Sequence, residues 1–180
     1  MNNYKGTGAV FVRKLIASRG PEFEQRFLAR LNPAEVAIYH QTFEFDWIPI
    51  EVITRFFEVA APLLYPGQMD GLRMIGQQMA RDNLRDIYRI LLRVATVPFI
   101  IGQSARLWQT YHRKGRAVLE RSEPNLMRFV VRDYPDLPER FRECLCGYIM
   151  GLMELVAARD IRVLKYSDAP EAWSWKIAWR

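Results

Sequence analysis

Catalysis needs reactive side chains at fixed spacing, and this chain supplies few. His40 and His112 are its only histidines. Neither stands at a recognised spacing from another imidazole, thiolate or carboxylate, so no metal or nucleophilic site forms around them. His40 is read as ending a helix and His112 as packing or capping, since the last turn of a helix favours histidine. Cys144 and Cys146, the only cysteines, point apart on a helix, so neither a disulfide nor a metal pair follows and a reducing cytoplasm fits. Gly6, Thr7 and Gly8 lack the strand-glycine-helix context of a phosphate loop, and no Gly-Lys-Ser/Thr follows them. Asp82 and Asp86 share a helix face on which Arg85, Arg89 and Arg93 can neutralise them; only a buried Asp82 with a raised pKa would reopen acid-base chemistry. The expectation is a non-enzyme with no catalytic residue, metal or cofactor.

Binding is the chemistry that remains. Trp47, Phe56, Phe57, Met74, Met79, Phe99, Trp108 and Tyr111 either fill a core or line an apolar cavity between a helical lid and a sheet. In the second case Gln103 and Arg106 become polar anchors, and the guanidinium favours an anionic or carbonyl-bearing ligand. Gly147 and Gly151 lay a bare strip along one helix face, against which another backbone or a ligand comes close. The candidate ligand-binding set is therefore Trp47, Phe57, Met79, Phe99, Gln103, Arg106, Trp108, Tyr111, Gly147 and Gly151.

Two helical segments, divided at Thr96, Val97 and Pro98, must position these residues. In residues 69–95, Leu72, Ile75, Met79, Asn83, Ile87 and Leu91 recur at steps of three and four, one stripe interrupted once by Asn83. At 1.5 Å per residue that helix is a spine roughly 40 Å long. Thr96 is placed to cap the next helix, with Pro98 in its first turn and Gly115 as its stop. Upstream, helix starts at residue 9, Pro21, Pro33 and Pro49 make a compact helical lid, with Phe43, Phe45 and Trp47 in a short extended or connecting stretch. Downstream the period changes. Residues 117–121 and 126–132 read as one hairpin, 139–158 as a helix, and 161–166 with 172–179 as a second hairpin turning at Ser167, Asp168, Ala169 and Pro170. In the last strand Trp173, Trp175, Ile177 and Trp179 share a face. The fold class is α+β: an N-terminal helical part and long central helices (1–115) packed with a four-stranded antiparallel sheet of two hairpins separated by a helix (116–180), as a single domain.

Half of the 180 residues are apolar, enough for a proper core. No apolar run approaches the ~20 residues of a membrane span, and the first residues lack the order of a secretory signal. The net charge is +6. Its 26 basic residues are interspersed with 20 acidic ones, and the densest cluster, Arg113, Lys114, Arg116 and Arg121, lies at a helix end, so nucleic acid is not the expected partner.

Over nearly its full length the chain resembles an uncharacterised bacterial domain family, through Trp47 with Pro49, Gly76 with Ala80, and Trp108, Tyr111 and Gly115. More distantly, Lys5-Gly6-Thr7 and Gly147-Tyr148-Ile149-Met150-Gly151 are similar to the superfamily of haem nitric-oxide-binding sensors, 4-vinyl-reductase-type domains and TRAPP tethering subunits. That resemblance implies a sensor fold. It also implies an iron-binding histidine at the position of Arg106, and a guanidinium cannot ligate iron. The Tyr-x-Ser-x-Arg that holds haem carboxylates is missing from residues 129–134, His112 lies six residues beyond the iron position, and no cysteine-rich metal site is present. The implied function is a small-molecule-binding or sensory domain without haem, linked to signalling, whose ligand is small and apolar or amphipathic. The alternative is an interaction or homodimerisation module of the tethering type, with a second copy or a signalling protein as partner.

Overall fold

The computed structural model describes residues 2–84, 96–156, 158–169 and 172–180. The far half of the expected spine, with Arg85, Asp86, Ile87, Arg89, Leu91 and Arg93, lies outside the described residues, as does Pro170.

The chain starts with a strand that its sequence did not announce. β1 (Asn3–Lys5) pairs antiparallel with β2 (Trp47–Pro49) in the register Asn3↔Pro49, Tyr4↔Ile48 and Lys5↔Trp47. Three residues are too few for an alternation to register. Between the two strands run α1 (Thr7–Ala17), α2 (Pro21–Leu28) and α3 (Pro33–Gln41). Pro21 and Pro33 open their helices as expected, and α3 starts with a capping box in which Asn32 and Glu35 satisfy each other's backbone N–H groups. His40 falls in the last turn of α3. Pro49, expected to open a helix, instead closes β2, and α4 (Ile50–Leu64) begins one residue later. Ile53, Phe56, Phe57 and Ala60 bury one face of α4.

The described part of the spine is α5 (Gly71–Leu84), followed by α6 (Val97–Tyr111). Thr96 stands at the N-cap of α6 in an extended conformation, but its hydroxyl makes no capping bond, so that expectation fails while Pro98 does occupy the first turn. Gly115 is not the stop either. The helix ends at Tyr111 because the next residues pair with β1: His112 bridges Tyr4, and the Arg113 N–H donates to the Asn3 carbonyl at 3.0 Å. Gly115, at φ 78°, then turns the chain into the sheet, where a Cβ would lie 3.0 Å from Tyr134.

The two hairpins share one antiparallel sheet in the order β3-β4-β6-β5: β3 (Arg116–Glu123), β4 (Leu126–Arg132), β5 (Arg162–Ala169) and β6 (Ala172–Ala178). β3 and β5 run further into their turns than expected, β5 taking in Ser167, Asp168 and Ala169, with register irregularities between Arg121 and Glu123 and between Tyr166 and Ala169. α7 (Glu139–Leu155) packs between the sheet and α5. On the sheet side the Trp175 indole N–H donates to the Arg142 carbonyl, and the Arg142 guanidinium lies 3.6 Å from the Trp173 ring centroid. On the α5 side the two backbones nearly touch. A Cβ on Gly147 would lie 1.8 Å from the Arg73 carbonyl oxygen, and one on Gly76 would lie 2.0 Å from that of Cys144. The fold is α+β, helices over a four-stranded antiparallel sheet.

Candidate functional site

A cavity of about 600 Å³ lies among α5, α6, α7, β1 and β4. That volume corresponds to roughly 20 liquid waters at ~30 Å³ each, within the usual range of ligand sites. Helical spacing builds its walls. Phe99, Gln103, Leu107 and Tyr111 recur at steps of four along α6, as do Cys144, Tyr148 and Leu152 along α7 and Met79 with Asn83 on α5. Tyr4 closes one end and Phe129 comes from the sheet. Phe99 and Leu107 line the cavity while remaining exposed, so it opens along α6.

His112 is the one imidazole in the described lining. Its ring stacks flat on Trp108, centroids 3.7 Å apart, and meets Tyr4 and Phe141 edge-on at 4.8 and 5.5 Å. Its Nδ1 is buried without a hydrogen-bond partner. Burial alone lowers its pKa to about 3, so the ring is neutral at neutral pH. The Trp108 indole N–H donates to the Lys114 carbonyl at 3.1 Å, which fixes the surface on which His112 stacks.

Burial shifts three other lining groups toward their neutral forms. Burial pushes the Tyr148 phenol up to about 12, against a lowering hydrogen bond with Asn83. Burial, with the neighbouring Tyr148 next in size, raises Tyr4 well above its ordinary value, although a hydrogen bond with Thr7 opposes it. Burial raises the Cys144 thiol in the same way. No lysine, arginine, aspartate or glutamate is among the described residues that line the cavity. A smaller cleft of about 240 Å³ lies at the start of α5 and α7, where Arg73 and Glu143 are already paired with each other at 2.9 Å.

Of the residues nominated from the sequence, Met79, Phe99, Gln103, Trp108 and Tyr111 converge on this cavity. Trp47 does not. It sits in β2 with the Lys5 ammonium and the Arg113 guanidinium 4.6 and 4.5 Å from its ring. Phe57 is fully buried behind the wall, against Phe141. Arg106 is exposed and outside the lining, because α6 turns its Trp108 side inward and carries Arg106 on the solvent side; it anchors nothing in the cavity. Gly147 and Gly151 face the backbone of α5, at Arg73 and Gln77, and leave no room for a ligand. Asp82 is exposed and accepts a hydrogen bond from Gln78, so the burial that would have suggested acid-base chemistry is absent there.

Sequence reasoning missed Tyr4, Asn83, His112, Cys144 and Tyr148 as lining residues. Asn83 carried a signal, as the one polar residue in an otherwise apolar stripe. Tyr4 carried none, because its place depends on a three-residue strand paired across the fold.

No protein-family model matches the sequence, and neither does any curated protein. Solved structures do match. An H-NOX protein from S. oneidensis in the Fe(II)NO ligation state superposes with a TM-score of 0.69 at 9% identity, covering 98% of this chain and 99% of that one. An H-NOX domain studied for distortion of its haem gives 0.68 at 10% identity, with 98% and 95% covered. The Fe(II) unliganded H-NOX protein from K. algicida gives 0.65 at 12% identity, with 98% and 96% covered. The chain has the H-NOX fold. At such identities the likeness is one of architecture, and an H-NOX frame is what brings β1, α5, α6 and α7 around one cavity. The expected resemblance to an uncharacterised bacterial family has no counterpart among the family models.

Proposed function

We propose that this chain is a non-enzymatic cytoplasmic sensor or binding domain that holds a small apolar or amphipathic molecule in the α6 cavity, without haem, in the service of signalling. One observation carries the reading: an aromatic-lined cavity of about 600 Å³ with no charged residue in its described lining. The residues present do not fit a haem. The haem-sensor resemblance puts the iron position at Arg106, which is exposed and cannot ligate iron. His112 offers an imidazole, the usual axial ligand, but that ring is flat against Trp108 with Nδ1 buried. The two haem carboxylates would meet no cation in the described lining.

Native mass spectrometry and an absorption spectrum of freshly purified protein test the proposal together. The expected result is a retained small-molecule adduct, or uptake of added apolar compounds, with no Soret band. Stoichiometric iron with a Soret band that disappears in His112→Ala would refute the haem-free reading.

Exposed apolar side chains support a second reading as an interaction or homodimerisation module. Phe43 and Phe45 stack on each other in the open, and Val118 and Leu164 stand exposed on the sheet. That reading requires a molecular mass that rises with concentration, which light scattering on a sizing column would measure.

A further inference from the structure

Four of the cavity's polar residues neighbour one another, and Gln103 and Ser104 on α6 add further polar lining. Asn83 on α5, Tyr148 on α7, Tyr4 on β1 and His112 just past α6 all line the cavity; Asn83 lies near enough to Tyr148, and Tyr148 to Tyr4, to influence their ionisation, and the Tyr4 ring meets His112 edge-on at 4.8 Å. The four residues form an arc contributed by two helices, by β1 and by the residue that follows α6. Ile101, Leu107, Phe129, Ile149 and Leu152 supply apolar lining elsewhere. Within the arc, the buried and unpartnered Nδ1 of His112 has given up water for nothing in return, and the Asn83 amide and the two phenols retain hydrogen-bonding capacity beyond one partner each. A charged ligand would lose its water here with no opposite charge in the described lining to replace it. Because Arg106 is exposed, the anionic ligand that the sequence had favoured loses its anchor.

We infer that the cavity selects an uncharged, largely apolar or aromatic molecule bearing one hydroxyl or carbonyl head, and that the head lies against the Asn83–Tyr148–Tyr4–His112 arc. This rests on the reading of the cavity as a ligand site.

The experiment is equilibrium dialysis of the full chain at pH 7 with 2-naphthol, naphthalene and 2-naphthoate, three probes that share a ring system and differ in the head. The neutral 2-naphthol is expected to bind at least tenfold more tightly than either of the others. Tyr148→Phe, which removes one oxygen and keeps the ring, is expected to bring 2-naphthol to within about threefold of naphthalene while naphthalene itself changes less than twofold. His112→Phe gives the same pattern, and circular dichroism with a cooperative melt shows that each variant is folded. If 2-naphthoate binds as tightly as 2-naphthol, the uncharged class is wrong. If the preference for 2-naphthol survives intact in Tyr148→Phe, the head does not lie on the arc. In both cases naphthalene binding leaves the cavity standing as a ligand site. If none of the three binds, the ligand-site reading falls and this inference falls with it.

Discussion

Replacing Gly147 with alanine adds a single methyl group at the tightest backbone approach described in the fold. That Cβ would sit 1.8 Å from the Arg73 carbonyl oxygen, where ordinary contact begins near 3.4 Å, so α5 and α7 must move apart by about 1.6 Å. No rotamer change relieves the clash, because the opposing atoms are backbone. Overpacking of a formed core costs about 1–3 kcal/mol, and an unyielding neighbour puts this site at the upper end. Alanine recovers about 1 kcal/mol of helix propensity over glycine, leaving a net loss of about 2 kcal/mol. Gly102→Ala in α6 is the matched control, since a Cβ there meets only a leucine methyl of Leu119 at 3.8 Å. The same propensity gain, unopposed, should stabilise by about 0.5–1 kcal/mol. Urea denaturation of both variants at pH 7 decides the matter. A Gly147→Ala protein as stable as the parent, or a Gly102→Ala protein damaged to the same degree, would refute the claim that the α5–α7 contact is what requires glycine.

Two further predictions concern ionisation. His112 has its pKa depressed by burial from 6.5 to about 3, so below pH 6.5 the unfolded chain takes up a proton that the folded one refuses. Its contribution to stability is complete above pH 6.5 and is lost as pH falls toward 3; between pH 7.5 and 5 the loss is about 2 kcal/mol at 1.36 kcal/mol per pH unit. The parent should therefore lose that much more stability over the interval than His112→Phe, as measured by urea melts, and equal losses would show the imidazole to be solvated. Glu143 accepts from Lys165 at 2.5 Å and from Arg73 at 2.9 Å; burial pushes its carboxyl up, but these bonds outweigh burial and hold it below the ordinary 4.5. Glu143→Gln should cost about 1–2 kcal/mol at pH 7, discounted from a fully buried pair for partial exposure, and the difference should vanish as pH falls through the folded-state pKa. A cost that stays constant down to pH 3 would assign the effect to packing.

The periodicities that laid out the helices and hairpins are local, and the fold follows them closely. Pro21, Pro33 and Pro98 occupy first turns because a missing N–H does no harm there, and the alternation around Trp175 and Ile177 gave the buried face of β6. What the sequence could not show is any property that depends on a partner far along the chain. Tyr4 lines the cavity because β1 pairs with β2 and then with His112, a triple contact across the whole helical region. Gly115 looked like a helix stop because nothing nearby reveals that His112 and Arg113 leave the helix to join β1.

The two kinds of small or polar exception on the central helices turn out to do opposite things. Gly76, Gly147 and Gly151 bring α5 and α7 so close that backbone meets backbone, and that contact leaves no space. Asn83 and Tyr148 stand on the same two helices and line the cavity, near enough for Asn83 to influence the phenol's ionisation. A closely seated α5–α7 pair is therefore what sets the separation of these two polar wall residues. Widening the seat at Gly147 should move Asn83 and Tyr148 apart as well as loosen the fold, so Gly147→Ala is expected to weaken the preference for a hydroxyl-bearing probe even though no ligand touches residue 147.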